Sequence, residues 1–240
     1  GGGHPRAGVV SPEGFHRRAR RLHSDLMTAA LCFDTAWYGN SCEELHKALS
    51  PSYSRHVYDL LFHSVMLRSV ASLLRCIDRQ KNAATIDTFL KDAQTKPILD
   101  IIVSDAAKWP MYDGRKGKMA ARKKIERLLT EIRIDYFLIY RYENDLFGFR
   151  NRELSHSAIQ MSQSKMNYNK LCQCVRLGEN IAFNVLLISE GCHQDPRDQR
   201  DVQALYTRHF FRALASGLEA GSEDSYDPSW GPIQCVSGDS

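Results

Sequence analysis

The chain has 240 residues, 43% of them hydrophobic, and a formal net charge of +4 at pH 7. This length fits one large domain or two small ones, and this apolar content is enough to bury a sizeable core. The seven cysteines are odd in number and lie mostly within apolar runs, which argues against a disulfide framework and for a reducing cytosol. The longest uninterrupted apolar runs are far too short to cross a bilayer, so we expect a soluble, cytoplasmic protein outside the membrane.

Two helices are predicted at the start of the chain. Ser11 and Pro12 are typical of a helix start, with an N-cap followed by a proline, and this helix should run to about Trp37. Its later turns place apolar residues three and four positions apart, which defines one buried face. Ser41 and Glu44 then match the reciprocal pair of a capping box, which predicts a short second helix.

The most apolar segment is 53–79, where hydrophobic residues nearly encircle the predicted helix. A helix of this kind belongs at the centre of a bundle, and His63 on it is expected to be a hydrogen-bonded core residue. A loop over 109–118 contains glycines, a proline and basic residues. A single long helix is predicted over 119–149, and it should pack against 53–79. Two short helices should lie between the apolar helix and the loop, at about 85–93 and 97–108.

Two further helices, about 168–189 and 196–220, complete an all-α pattern. We expect a flexible N-terminus over residues 1–10 that includes glycines left from cloning, a single helical domain over 11–220 and a disordered tail over 221–240. The pattern contains no strand–helix alternation, no glycine-rich phosphate loop after a strand and no nucleophile elbow. Dinucleotide-binding, P-loop and α/β-hydrolase functions are therefore disfavoured.

The stretch FRNRELSHS, residues 149–157, ends the predicted long helix and combines Arg150, Asn151, Arg152 and His156. These residue types suit RNA cleavage without a metal. Histidine titrates near neutral pH and can accept the proton of a ribose 2′-hydroxyl. Arginine offers the phosphate a permanent charge and a planar fork, and Asn151 is suited to hold a phosphate oxygen or to orient the histidine. Arg150, Asn151 and His156 are therefore candidate catalytic residues that need neither a metal nor a cofactor.

A purely structural explanation competes with this interpretation. A helix C-terminus attracts arginine and histidine through the helix macrodipole. A similar spacing also occurs on the first helix, where Arg17 and Arg18 precede His23, and a solvated basic face explains it there. The spacing alone is therefore a weak signal.

Other candidate binding residues lie nearby in the sequence. Arg115, Lys116 and Lys118 form a basic patch in the predicted loop and are candidate RNA-binding residues, although a solvated loop also explains them. The aromatic residues between positions 136 and 149 are able to stack on bases, but their density inside a helix favours core or dimer packing. Cys172 and Cys174 do not have the usual spacing of zinc ligands, so no metal site is predicted.

The segment FRNRELSH resembles the R-x(4–6)-H motif of the HEPN superfamily, in which a polar residue commonly follows the arginine. The order of segments is similar to the AbiU-type branch, which is associated with phage abortive infection. A first helix that ends in an aromatic-rich segment is followed by LLRCIDRQKNAATIDTFL at 73–90, by a helix that runs into RNRELSHS and by MNYNKLCQCVRLGENI at 166–181. The resemblance covers residues 20–190.

This resemblance implies an HEPN-like helical bundle with additional helices, usually a homodimer whose two motifs face each other. It implies a metal-independent endoribonuclease of a phage-defence or toxin–antitoxin module, with RNA as substrate and an antitoxin or regulatory protein as a further partner. Arg150, Asn151 and His156 match the arginine, its polar follower and the histidine of the motif. Arg152 stays open as a substrate-binding residue or as the operative arginine. Two alternatives remain: a non-catalytic HEPN-like protein that binds RNA or a nucleotide, and a structural helical partner.

Overall fold

The computed structural model describes residues 10–49, 54–79, 83–109, 117–154, 167–191 and 196–220. Within these ranges the chain forms nine α-helices and no β-strand, which confirms the predicted all-α fold class. The expected flexible N-terminus, except residue 10, and the expected disordered tail lie outside the described residues. The helices are α1 (Pro12–Asn40), α2 (Glu43–Leu49), α3 (Ser54–Ile77), α4 (Ile86–Ala93), α5 (Lys96–Ala106), α6 (Gly117–Tyr140), α7 (Glu143–Leu154), α8 (Tyr168–Glu190) and α9 (Pro196–Ala220).

Local sequence signals explain several helix ends. The side chain of Ser11 accepts a hydrogen bond from the backbone N–H of Gly14 at 3.1 Å, so the predicted start of α1 is confirmed. Asn167 caps α8 in the same way. At the other end of α8, Gly191 adopts a φ of 65°, a left-handed conformation that glycine tolerates best, and its N–H bonds to the carbonyl of Leu187.

The first helix, α1, lies at the centre of the bundle. It packs along its length against α3 and α8, and it also contacts α9 and α4. Its inner residues, such as Leu22 and Phe33, are at most 1% exposed. The helices α6 and α5 are added to the side of α8, and a second small cluster joins α2 and α9. The core is therefore organised around α1 and α8.

The prediction that the 53–79 helix forms the centre is wrong for its first half. Val57, Leu60 and Leu61 on α3 are 60 to 67% exposed. His63 is also exposed, so it is not the core histidine that the sequence predicted. The second half of α3 is the more enclosed part, with Leu73 and Ile77 fully buried, whereas Tyr58 is the buried residue near its start.

The predicted single helix over 119–149 is wrong as well, because it is two helices. The break falls at Arg141 and Tyr142, where the N–H of Tyr142 bonds to the carbonyl of Ile139, one residue short of the α-helical spacing. After the break, α7 packs against α3, with Leu146 fully buried as its anchor. The expected contact with 53–79 is therefore made mainly by α7 rather than by the long first part, α6.

The predicted capping box at Ser41 and Glu44 is not formed. The first helix continues to Asn40, and Ser41 serves as its C-terminal cap. The Ser41 hydroxyl donates to the carbonyl of Trp37 at 2.8 Å, so it is not directed at the start of α2. The two helices are consequently joined by one tight turn.

Among the described residues, two helices have the length and composition of a membrane span: α3 from Arg55 onward, and α8. In α8, 61% of the most apolar window is buried inside the fold, against 44% for α3. Length and apolar composition are only a weak indication of a membrane span, because a buried core helix meets the same criteria.

Candidate functional site

Arg150 lies in the last turns of α7, and its side chain is held on two sides. Its Cζ lies 4.9 Å from the centroid of the Phe147 ring, one turn earlier on the same helix. Its Nε and Nη2 donate to the side-chain oxygen of Asn151 at 3.2 and 3.0 Å. Since Leu146 anchors this helix in the core, the guanidinium is both oriented and attached to a rigid element.

The charge of Arg150 is not compensated by a carboxylate among the described residues. Four arginines whose side chains are described are half-buried. Arg18 pairs with Asp92, Arg176 with Asp34 and Arg200 with Glu179, whereas the described partners of Arg150 are the Phe147 ring and a neutral amide. With respect to the described side chains, Arg150 therefore retains donors without a partner and a charge without a counter-ion, which are the properties of a phosphate-binding group.

The other predicted motif residues are less completely described. Asn151 is exposed and accepts from Arg150, so the structure brings these two candidates together. Arg152 lies in the last turn of α7, but its side chain is outside the described part of the chain. His156, the predicted base, also lies outside the described residues. The pairing of Arg150 with His156 therefore remains a prediction from the sequence.

Only Lys118 of the predicted basic patch lies among the described residues, and it is not next to the motif. Arg115 and Lys116 lie outside the described residues. Lys118 is exposed in the first turn of α6 and lines a shallow groove with Asp100 and Ser104. The start of α7 follows the opposite end of α6, about 33 Å away along the helix axis at 1.5 Å per residue. The structure therefore does not bring Lys118 together with the start of α7.

A buried ionic cluster was missed by the sequence reasoning. Asp34 on α1 and Glu179 on α8 are 3% and 5% exposed. Arg176 donates to Asp34 at 3.2 Å and to Glu179 at 2.9 Å, and Arg200 on α9 donates to Glu179 at 3.1 Å. Burial lowers the pKa of Arg176. The hydrogen bonds and charges of the two carboxylates raise it by more than burial lowers it, so the pKa lies above its usual value. The positive charges of the two arginines balance the negative charges of the two carboxylates. The cluster therefore has a structural role, because its ion pairs connect α1, α8 and α9.

Sequence spacing held only a weak signal for that cluster. Arg176 and Glu179 are three residues apart on α8, which is the spacing of a helical ion pair. Asp34 lies 142 residues away from Arg176 in the chain, so its participation depends on the packing of α1 against α8.

Cysteines do not form a nucleophilic or metal-binding cluster in the described part of the chain. Cys172 is half-buried, whereas Cys174 is fully buried on the other side of α8. Burial raises the pKa of the Cys174 thiol to about 12, which disfavours the thiolate. Among the described residues, no three His, Cys, Asp or Glu side chains are arranged to hold a metal ion.

Comparisons with known protein families, with curated proteins and with solved structures found no match to this chain. The HEPN-type assignment therefore stays a prediction based on the motif and on the order of segments.

Proposed function

We propose that the chain is a metal-independent endoribonuclease of HEPN type, with Arg150 as phosphate clamp and His156 as general base. The observation that carries the proposal is the state of Arg150. Four half-buried arginines have described side chains. Among them, Arg150 alone contacts an aromatic ring and an amide and has no described carboxylate partner. An arginine with a purely structural role would be expected to pair as Arg18, Arg176 and Arg200 do.

The proposed reaction is an attack of the ribose 2′-oxygen on the adjacent phosphorus. His156 accepts the proton of the 2′-hydroxyl, and the bond from phosphorus to the 5′-oxygen of the next nucleotide breaks. The products are a 2′,3′-cyclic phosphate and a 5′-hydroxyl, which receives a proton from an acid. Arg150 stabilises the additional negative charge on the phosphate oxygens in the transition state. Asn151 is a positioning residue, because it holds one edge of the guanidinium and leaves other donors for phosphate.

The acid for the leaving oxygen is proposed to come from a second copy of the chain. One motif supplies one base and one clamp, while a two-fold axis places equal residues opposite each other. A homodimer would therefore line one cleft with two histidines, one that accepts a proton and one that donates a proton. RNA is found in the cytoplasm, where a defence or toxin–antitoxin module of this kind would act with its antitoxin or regulatory partner.

The direct test is cleavage of a synthetic RNA in the presence of EDTA. The unmodified chain should cleave, and His156→Ala should be slower by about a hundredfold or more, in line with general-base contributions. Arg17→Ala is the matched control, since Arg17 is exposed on α1 and no described carboxylate pairs with it. Absence of cleavage would support the non-catalytic alternative instead, and full activity of His156→Ala would rule out His156 as the general base.

A further inference from the structure

An open groove of about 470 Å³ lies between the second half of α6, the helix α4 and the end of α3. One wall carries aromatic side chains: Tyr136, Phe137 and Tyr140 of α6. The other described groups that line it are mostly basic: Arg79, Lys91 and Arg133, with Asp87 as the one carboxylate among them. The volume falls within the range of small-ligand sites.

The aromatic wall is accessible to a ligand. Phe137 is 62% exposed, and no described side chain shields its ring from water. Exposure of a large apolar ring to water is unfavourable and is typical of a binding surface. The rings of Tyr136 and Tyr140 lie 5.9 Å apart, and the guanidinium of Arg79 lies 4.5 Å from the centre of the Tyr140 ring. The two tyrosine rings are tilted by 60° relative to each other, whereas the guanidinium of Arg79 lies over the Tyr140 ring, so this wall already holds one cation on an aromatic face.

The groove carries excess positive charge. Lys91 is paired with Asp87 on the same helix, and Arg79 donates to the Tyr140 hydroxyl. Arg133 is exposed and has no ion pair with any described residue. The carboxylate of Glu143 accepts a hydrogen bond from the Tyr140 hydroxyl, which raises the pKa of that tyrosine. The negative charge of Glu143 therefore offsets the positive charge of the groove at the Tyr140 end.

We propose that this groove is a binding site for single-stranded RNA, in which a base stacks on Phe137 and the adjacent phosphate binds Arg133. An accessible aromatic face beside a cation that no described carboxylate pairs with is suited to single strands, because every base offers a π-face and every linkage a negative charge. An acidic peptide would use the cations but leave the aromatic wall uncovered. A second copy of the chain would also cover Phe137, and the oligomeric state of Phe137→Ala distinguishes this occupant from RNA. RNA as the particular strand rests on the proposed function, whereas the groove itself does not.

The groove lies close to the candidate catalytic residues. Tyr140 ends α6, and Arg150 follows seven residues into α7. The rise of α7 from Glu143 to Arg150 contributes about 11 Å to their separation, and the three residue steps from Tyr140 to Glu143 add at most about 11 Å. The Cα atom of Tyr140, at one end of the groove, is therefore at most about 22 Å from the Cα atom of Arg150, which makes the groove suited to hold the substrate on one side of the scissile phosphate.

The test is the affinity for a fluorescein-labelled 12-mer of uridine, measured by fluorescence anisotropy in EDTA on the His156→Ala chain, so that the strand stays intact. Phe137→Ala should weaken binding about tenfold, as expected for loss of one stacked base. Its control is Ile134→Ala, one turn away on α6 and 55% exposed, which should bind as before. Arg133→Gln should reduce the slope of log affinity against log salt by about 0.7, the value for one phosphate contact on a single strand. Arg17→Gln is its control and should leave the slope unchanged.

The outcomes separate this site from the proposed nuclease function. If the wild type cleaves RNA but Phe137→Ala and Arg133→Gln bind like their controls, the groove is not the RNA site and the nuclease proposal stands. If the wild type fails to cleave but these two variants lose binding, the groove stands and the nuclease proposal fails. Equal competition by poly-glutamate at matched charge would overturn base stacking. A shift of Phe137→Ala from dimer to monomer with unchanged RNA affinity would assign the surface to protein contact and overturn the proposal.

Discussion

Phe147 and Arg150 lie one turn apart on α7, with the guanidinium 4.9 Å from the centre of the ring. This contact orients the arginine without neutralising it, whereas a carboxylate at the same place would occupy its donors. The proposed clamp therefore depends on the planar fork of arginine as well as on its charge.

Arg150→Lys should lower the cleavage rate by at least about tenfold, because lysine keeps the charge but loses the fork. Loss of a hydrogen bond to a charged group costs about 1.5–3 kcal/mol, which corresponds to about one to two orders of magnitude in rate. The measurement is the single-turnover rate at saturating enzyme. Arg152→Ala should cause a smaller loss, mainly in RNA affinity and its salt dependence. If Arg152→Ala abolishes cleavage and Arg150→Ala does not, Arg152 is the operative arginine.

The ionic cluster of Asp34, Arg176, Glu179 and Arg200 should be important for stability. Asp34→Ala leaves two arginines facing one carboxylate in a largely buried site, so the free energy of unfolding should fall by about 3 kcal/mol. Urea denaturation gives this value directly. The control is Asp105→Ala, which breaks an exposed pair with Lys108 and should cost less than about 1 kcal/mol. Equal losses in the two variants would contradict a structural role for the cluster.

The stability of the fold should decrease at mildly acidic pH, in part because of His23. Burial lowers the pKa of His23 below its usual value, so the folded state disfavours the protonated ring. In the window between the two pKa values, the unfolded chain binds more protons than the folded chain. The contribution is therefore fully present above the unfolded pKa, about 6.5, and is lost as the pH falls through the lowered folded pKa. Melting temperatures at pH 7.5 and 5.5 should differ less for His23→Gln than for the unmodified chain, and identical differences would rule out this assignment.

A shared active site makes activity depend on protein concentration. Sedimentation equilibrium at micromolar concentration should give a mass near twice the 27.3 kDa of one chain. When the protein is diluted until it dissociates, cleavage per chain should fall in parallel with the fraction of dimer. A monomer that cleaves at an undiminished rate per chain would refute the two-histidine arrangement.

The positions of most helices could be predicted from the sequence because local signals set them. Ser11 with Pro12 begins α1, and the bounds of α4, α5, α8 and α9 agree with the predicted ranges to within two residues. The break between α6 and α7 could not be predicted in this way. Arg141 and Tyr142 are compatible with a helix, and the chain turns there because Leu146 is buried against the core after the turn.

Ambiguous local signals caused two of the errors. A serine followed by a glutamate three residues later fits a helix start, but Ser41 became the last cap of α1 because that helix continued to Asn40. An apolar surface all around α3 suggested full burial, yet the side with Leu60 is not covered by any described helix. Phe137 was recognisable in principle, since it lies outside the inner stripe of α6 that contains Ile125, Leu128 and Ile132.

The candidate site was predictable only in part. Arg150 and Asn151 are adjacent in sequence and remain adjacent in the fold. The aromatic partner Phe147 follows from its spacing of three residues on one helix. The groove of Arg79, Lys91 and Arg133 could not be foreseen, because it combines three helices whose relative placement depends on the core.

The chemical nature of the RNA ends tests the central claim most directly. A synthetic RNA with a single label is incubated with the protein in excess EDTA, and the products are identified by mass spectrometry. Attack by the 2′-oxygen, with His156 as base and Arg150 as clamp, predicts 2′,3′-cyclic phosphate and 5′-hydroxyl ends, which His156→Ala should form more slowly by about a hundredfold or more. Products with 3′-hydroxyl and 5′-phosphate ends, or cleavage that stops in EDTA, would contradict the account.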